Sequence, residues 1–101
     1  MNAEWMRPFV EEGLNGTGRQ ERVALLSTLS ELAVEGAWER IDTALDQSQV
    51  DRLADTTLMT LVRGTFRFRS RLRAWDTFRD RVATEFRRRG ADAERLMRAL
   101  S

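Results

Sequence analysis

Residues 48–90, SQVDRLADTTLMTLVRGTFRFRSRLRAWDTFRDRVATEFRRRG, decide the fold. Within them Val50, Leu53, Ala54, Thr57, Leu61, Phe68, Leu72, Trp75, Phe78, Val82 and Phe86 keep nearly one helical face. Apolar residues recurring every three to four positions fall on one side of an α-helix, which turns once in 3.6 residues. A single helix over the whole stretch would span roughly 60 Å, more than a domain of this size can cover. The pattern therefore predicts two helices, at 49–68 and 74–89, separated by a break between Gly64 and Ala74. Ser48-Gln49-Val50-Asp51 is a Ser-x-x-acid start signal for the first. Gly90 ends the second, preceded by Arg87, Arg88 and Arg89 at the negative end of the helix dipole.

One segment of this stretch runs against the helical period. Arg67-Phe68-Arg69-Ser70-Arg71-Leu72-Arg73 alternates with period two, as a strand does. A lone strand leaves its backbone edges unpaired, and the chain offers no second alternating run to meet it. Helix or turn is the better reading.

Upstream, Thr17-Gly18-Arg19-Gln20 has the spacing of a capping box. It predicts a helix over about 18–35, whose broad apolar face carries Val23, Leu25, Leu26, Leu29, Leu32 and Ala33. Gly36 suits the C-terminal cap. A short helix with Trp38, Ile41 and Leu45 follows and leaves at Asp46-Gln47. Before these lie a loop, GLNGTG at 13–18, and a first helix at about 2–13. That helix sets Trp5, Met6, Phe9 and Val10 on one side, with Pro8 starting or bending it. Downstream, Asp92 caps a last short helix with Leu96, Met97 and Leu100. The expected architecture is all-α: a small single-domain helical bundle of about five helices over residues 1–101. Its spine is the 49–68 and 74–89 pair, and Leu61, Trp75, Val82 and Phe86 lie in its core.

Composition agrees. A chain of 101 residues, 42% of them in the apolar set, can bury roughly 65% of its unfolded surface without disulfides or metals. The absences restrict the chemistry. There is no Cys, His, Tyr or Lys, and all 17 basic residues are Arg. Thiol nucleophiles, thiolate metal sites, the usual imidazole base and ligand, and Schiff-base lysines are thereby excluded. The hydroxyls of Ser27, Ser30 and the threonines have no imidazole to activate them. Asp51 and Asp55 share a helical face at i,i+4, but two carboxylates without further ligands make a poor metal site, and a helix N-terminus accounts for them. No segment approaches the ~20 apolar residues needed to span a bilayer, and the N-terminus lacks a signal-peptide pattern. The expectation is a cytoplasmic protein with no enzymatic role, cofactor, metal or membrane contact.

The charges are divided unevenly. Residues 1–50 hold four Arg against nine acids, a net of −5; residues 51–101 hold thirteen Arg against seven acids, a net of +6. Between Arg63 and Arg89 the count is ten Arg to three acids. Three readings compete. In the first, the acidic and basic halves neutralise each other within the bundle, helped by local pairs: Arg73 with Asp76, Asp76 with Arg79, Arg81 with Glu85, and Glu85 with Arg88 or Arg89. In the second, residues 63–73 are helical, and Arg63, Arg67 and Arg71 form one i,i+4 ladder beside a second of Arg69 and Arg73. Such ladders repel themselves and favour an acidic protein surface, which Glu31, Glu35, Glu39 and Asp42 of another copy could supply. In the third, arginines interleaved with Phe66, Phe68 and Trp75 bind nucleic acid through phosphates and stacked bases. Against this stand the acidic first half and the place of Phe68 and Trp75 on the apolar stripe.

Together these observations point to a small adaptor, regulator or assembly protein acting through helix-mediated contacts with a protein partner or with itself. The alternative is a nucleic-acid-binding accessory protein using the Arg-rich 63–89 segment. The candidate contact residues are Arg63, Arg67, Arg69, Arg71, Arg73, Arg87, Arg88 and Arg89. Trp5 joins them as an aromatic anchor on a short first helix, although the plainer reading packs Trp5, Trp38 and Trp75 into one core.

Overall fold

A computed structural model of the chain describes residues 4–6 and 19–90, together with 95 and 98. Among these residues lie four α-helices and no strand: α1 (Arg19–Val34), α2 (Trp38–Gln47), α3 (Asp55–Thr65) and α4 (Trp75–Arg89). Short 3₁₀ segments occupy Glu4–Met6, Val50–Arg52 and Phe66–Arg71. The expected first helix beyond residue 6, the loop at 13–18, the Thr17 cap and, apart from the helical Arg95 and Arg98, the helix after Asp92 lie outside the described residues.

Local signals end α1 and α4. Gly36 turns the chain out of α1 with φ +72°, and Gly90 ends α4 with φ +116°. Both values fall in the left-handed region that side chains resist, so glycine is the residue that fits. The apolar face of α1 is narrower than the sequence suggests. Leu25, Leu29 and Leu32 are buried, whereas Val23 and Leu26 are exposed.

The helix expected at 49–68 is shorter at both ends, and its start is the larger correction. Val50–Arg52 forms a single 3₁₀ turn, Leu53 and Ala54 are extended, and α3 begins only at Asp55. The Ser48 hydroxyl does not cap a following helix; it donates to the Ala44 carbonyl at 2.6 Å and closes α2 instead. Two carbonyls in the connection, those of Val50 and Leu53, accept hydrogen bonds from Arg89 at the far end of α4. A helix through 50–54 would turn both carbonyls to its own axis. Asp51 and Asp55 consequently sit on different elements and share no face.

The expected break after Gly64 is present. Helix α3 ends at Thr65, and Phe66–Arg71 tightens into 3₁₀ before α4 starts at Trp75. Neither a strand nor a continued α-helix forms there. The two ends are tied by a buried relay: the Trp75 indole N–H donates to the Thr65 hydroxyl at 2.9 Å, which donates to the Leu61 carbonyl at 2.6 Å.

Helix α3 is the centre of the molecule. Thr57, Leu58, Met59, Thr60, Leu61, Val62 and Thr65 are buried, which is burial on nearly every side and not along one stripe. The Thr60 hydroxyl bonds back to the Thr56 carbonyl, so its polarity is satisfied inside the helix. Against α3 pack α1, α4 and the 66–71 segment. A Cβ on Gly64 would stand 2.8 Å from Leu26 Cδ2 and 3.0 Å from Leu29 Cδ1, so glycine sets the close approach of α1. The expected core residues Leu61, Trp75, Val82 and Phe86 are all buried, with Phe78, Ile41, Leu45, Leu53 and Leu58 around them.

Candidate functional site

The arginine tract occupies the 3₁₀ segment, and that geometry decides where each side chain goes. With three residues per turn, positions i and i+3 eclipse. Arg69 accordingly lies over Phe66, its guanidinium carbon 3.9 Å from the ring centroid, and it donates to the Phe66 carbonyl at 2.9 Å. Arg71 covers the Trp38 ring at 5.6 Å, and Trp38 in turn meets Phe68 with ring centroids 5.5 Å apart. Arg67 covers Phe68 at 4.8 Å and reaches the Ser30 hydroxyl of α1 at 3.5 Å. Phe66 sets its edge against the buried Trp75 and remains 47% exposed. The result is two groups: Arg67 and Arg71 over the paired Phe68 and Trp38 rings, and Arg69 over Phe66 beside Trp75.

The ladder of Arg63, Arg67 and Arg71, and that of Arg69 and Arg73, are not assembled. Successive residues of a 3₁₀ turn point about 120° apart, so alternate arginines fan outward and do not stack. Arg73 leaves the group altogether. It pairs with Asp46 at the end of α2 at 2.7 Å, and that hydrogen bond, ahead of the charge attraction, raises its pKa. Its expected local partner, Asp76, is not the one it takes.

The other arginines divide by role. Arg81 donates to the carbonyls of Leu45, Asp46 and Ser48, closing the C-terminal end of α2 from α4. Those carbonyls have no partner within their helix, so a cation is doubly suited there. Arg81 is thus drawn away from Glu85. Arg89 donates to Glu85, Asp55 and the carbonyls of Val50 and Leu53, joining α4 to the start of α3. Arg88 completes the cluster with a two-pronged contact on Glu85, as the sequence spacing predicts. The Glu85 side chain is only 6% exposed. Its pKa falls from 4.5 to about 2, chiefly through the Arg88 hydrogen bond, which with Arg89 outweighs the opposing effect of burial. Arg88 and Arg89 are therefore structural, while Arg63 and Arg87 stay exposed with no ion pair among the described residues.

Two further expectations are revised. Asp42 cannot face a second copy, because it is buried and its carboxylate accepts from the backbone N–H groups of Arg73 and Ala74 at 3.3 and 3.0 Å. It serves the turn into α4 from a different helix. Trp5 is half-buried against the core with its indole N–H enclosed, so it is not a projecting anchor. The roles of Trp38, Asp42 and Arg81 have no sequence signature, since each partner lies more than 25 residues away.

Among the described residues no group of three or more His, Cys, Asp or Glu could hold a metal. No helix there is long and apolar enough to cross a membrane. Open depressions are lined by the described residues. One, of about 370 Å³, lies between α1 and α3 and is lined by Arg22, Leu26, Met59 and Arg63 among others. Another, of about 380 Å³, is lined by Val50, Thr77, Asp80, Arg81, Thr84 and Glu85. Comparison with known proteins finds no family model that matches the chain, no curated relative and no similar solved structure.

Proposed function

We propose that this chain is a non-enzymatic, cytoplasmic adaptor or assembly subunit that recognises acidic protein segments through the arginines held over Trp38, Phe66 and Phe68. The observation that carries this reading is the state of Arg67, Arg69 and Arg71. Each guanidinium is stacked on a ring, and none is paired with a carboxylate among the described residues. Stacking restrains the plane of the guanidinium and leaves donors at its edge, which lowers the entropy lost when a carboxylate docks. Arg73, Arg81, Arg88 and Arg89 are occupied within the fold; these three are the ones held ready. The carboxylates lining the depressions support the non-enzymatic reading, because Asp55 and Glu85 are engaged by Arg89 and Asp80 is paired with Arg79.

The same stacked cations favour a second reading, single-stranded nucleic acid, since bases stack on guanidinium planes as well. It ranks lower because the three groups fan around the segment and form no continuous track for a phosphate backbone. Titration of the protein and an Arg67, Arg69, Arg71→Gln triple variant with poly-glutamate and with an oligothymidylate separates the two. The expected outcome is binding of poly-glutamate that the triple variant loses. Preferential oligothymidylate binding, weakening with salt by a log–log slope of about −0.7 per phosphate neutralised and abolished in the variant, would establish the second reading instead.

A further inference from the structure

Among the described residues four large apolar side chains are conspicuously exposed, and three of them belong to α1: Val23 at 54%, Leu26 at 42% and Val34 at 88%. Leu25, Leu29 and Leu32 mark the inward side of that helix. Val23, Ser27, Ser30 and Val34, spaced four, three and four residues apart, run along the opposite side, the spacing with which one helix meets another. Leu26 and Glu31 bracket this line, about 70° to either side at 100° per residue. The Leu26 flank is basic, because α3 adds Arg63 beside Leu26 and the 3₁₀ segment after it adds Arg67 beside Ser30. The other flank is acidic, because Glu31 is exposed with no ion pair among the described residues, and Glu35 follows one turn on.

We infer that the outer face of α1 pairs with α1 of a second copy, the two helices parallel about a two-fold axis. Symmetry and charge choose this arrangement. A two-fold along the helix axis brings the basic flank of each copy against the acidic flank of the other, so Arg63 and Arg67 face Glu31 of the second copy twice over. A two-fold across the helices would set basic flank on basic flank. Val23, Ser27, Ser30 and Val34 would then each meet their own counterpart, with serines at the middle allowing close approach. The face consists of a few side chains and is well short of the ~1,200–2,000 Å² of a standard stable interface. The dimer is therefore weak and concentration-dependent. This inference rests on the reading of the chain as an interaction subunit, and supplies one partner for it.

The absence of cysteine makes the test clean. In sedimentation equilibrium the full chain should move from 11.7 kDa toward twice that mass as its concentration rises, and Val34→Glu, at a fully solvated position, should hold it at the lower value. Val34→Cys and Val23→Cys should each form a disulfide-linked dimer about tenfold faster than a Thr84→Cys control on the exposed side of α4, reflecting a raised effective concentration. A chain that stays monomeric at every concentration would overturn the inference. So would cross-linking that appears only when the Val23→Cys and Val34→Cys proteins are mixed, the signature of antiparallel helices. A monomer whose poly-glutamate binding still disappears in the Arg67, Arg69, Arg71→Gln variant would sink the dimer alone and leave the proposed role of the ring-bound arginines standing. A dimer without poly-glutamate binding would do the reverse.

Discussion

Replacing Glu85 by Gln tests the electrostatic joint between α4 and the start of α3. In the folded protein Glu85 accepts from Arg88 Nε at 2.9 Å and from Arg89 Nε at 2.6 Å, and Arg89 extends to Asp55 and two backbone carbonyls. The carboxyl pKa drops from 4.5 to about 2. At about 1.36 kcal/mol per tenfold change in proton affinity, that displacement corresponds to about 3 kcal/mol. Arg88 is largely exposed and water weakens its share, so about 2 kcal/mol is the expected loss at pH 7. The sign follows from linkage. A carboxyl whose folded pKa lies below its unfolded value stabilises the fold above about pH 4.5, and that stabilisation disappears as the pH falls toward 2. Urea unfolding of parent and Glu85→Gln, followed by tryptophan fluorescence from pH 7 to pH 2, should show a gap that is constant down to about pH 5 and nearly closed at pH 2. The other acids titrate in both proteins and cancel in the difference. A gap of equal size at pH 7 and pH 2 would refute the reasoning, because it would mean that the side chain acts through packing and not through its charge.

Three other perturbations probe the fold. Phe86 is fully buried on α4, and Phe86→Ala should cost about 3–5 kcal/mol, measured as a lower urea midpoint. Asp42→Ala strands the backbone N–H groups of Arg73 and Ala74 and should cost about 1–3 kcal/mol, with faster hydrogen exchange at those two amides. Gly64→Ala sets a methyl against the δ-methyls of Leu26, which is exposed and can turn away, and Leu29, which is buried. Because alanine gains about 1 kcal/mol over glycine in a helix against the overpacking, a net loss of no more than about 1 kcal/mol is expected, and a raised midpoint would mean that Leu29 also yields freely.

The local features of this fold are legible in the sequence because their causes are local. Gly36 and Gly90 end helices through their own backbone freedom, and Leu61, Phe78, Val82 and Phe86 announce a buried face through spacing alone. The need for a break after Gly64 follows from length, since a helix of about 60 Å exceeds the 38 Å longest dimension of the molecule. Even the Glu85–Arg88–Arg89 contact is a matter of i,i+3 and i,i+4 spacing. What only the tertiary structure decided involves partners distant in the chain. Ser48 faces two possible helices and closes the earlier one, while Arg89, 36 to 39 residues away, holds the Val50 and Leu53 carbonyls out of any continuing helix. Periodicity registers which way a side chain points from its own helix, so it cannot reveal that α3 is enclosed on nearly every side. The arginine tract is the clearest case. Its apparent unity came from neighbouring positions in the chain, yet the 3₁₀ turn spreads those residues in different directions. Asp46 draws off Arg73, and the rings of Phe66, Phe68 and Trp38 hold the rest.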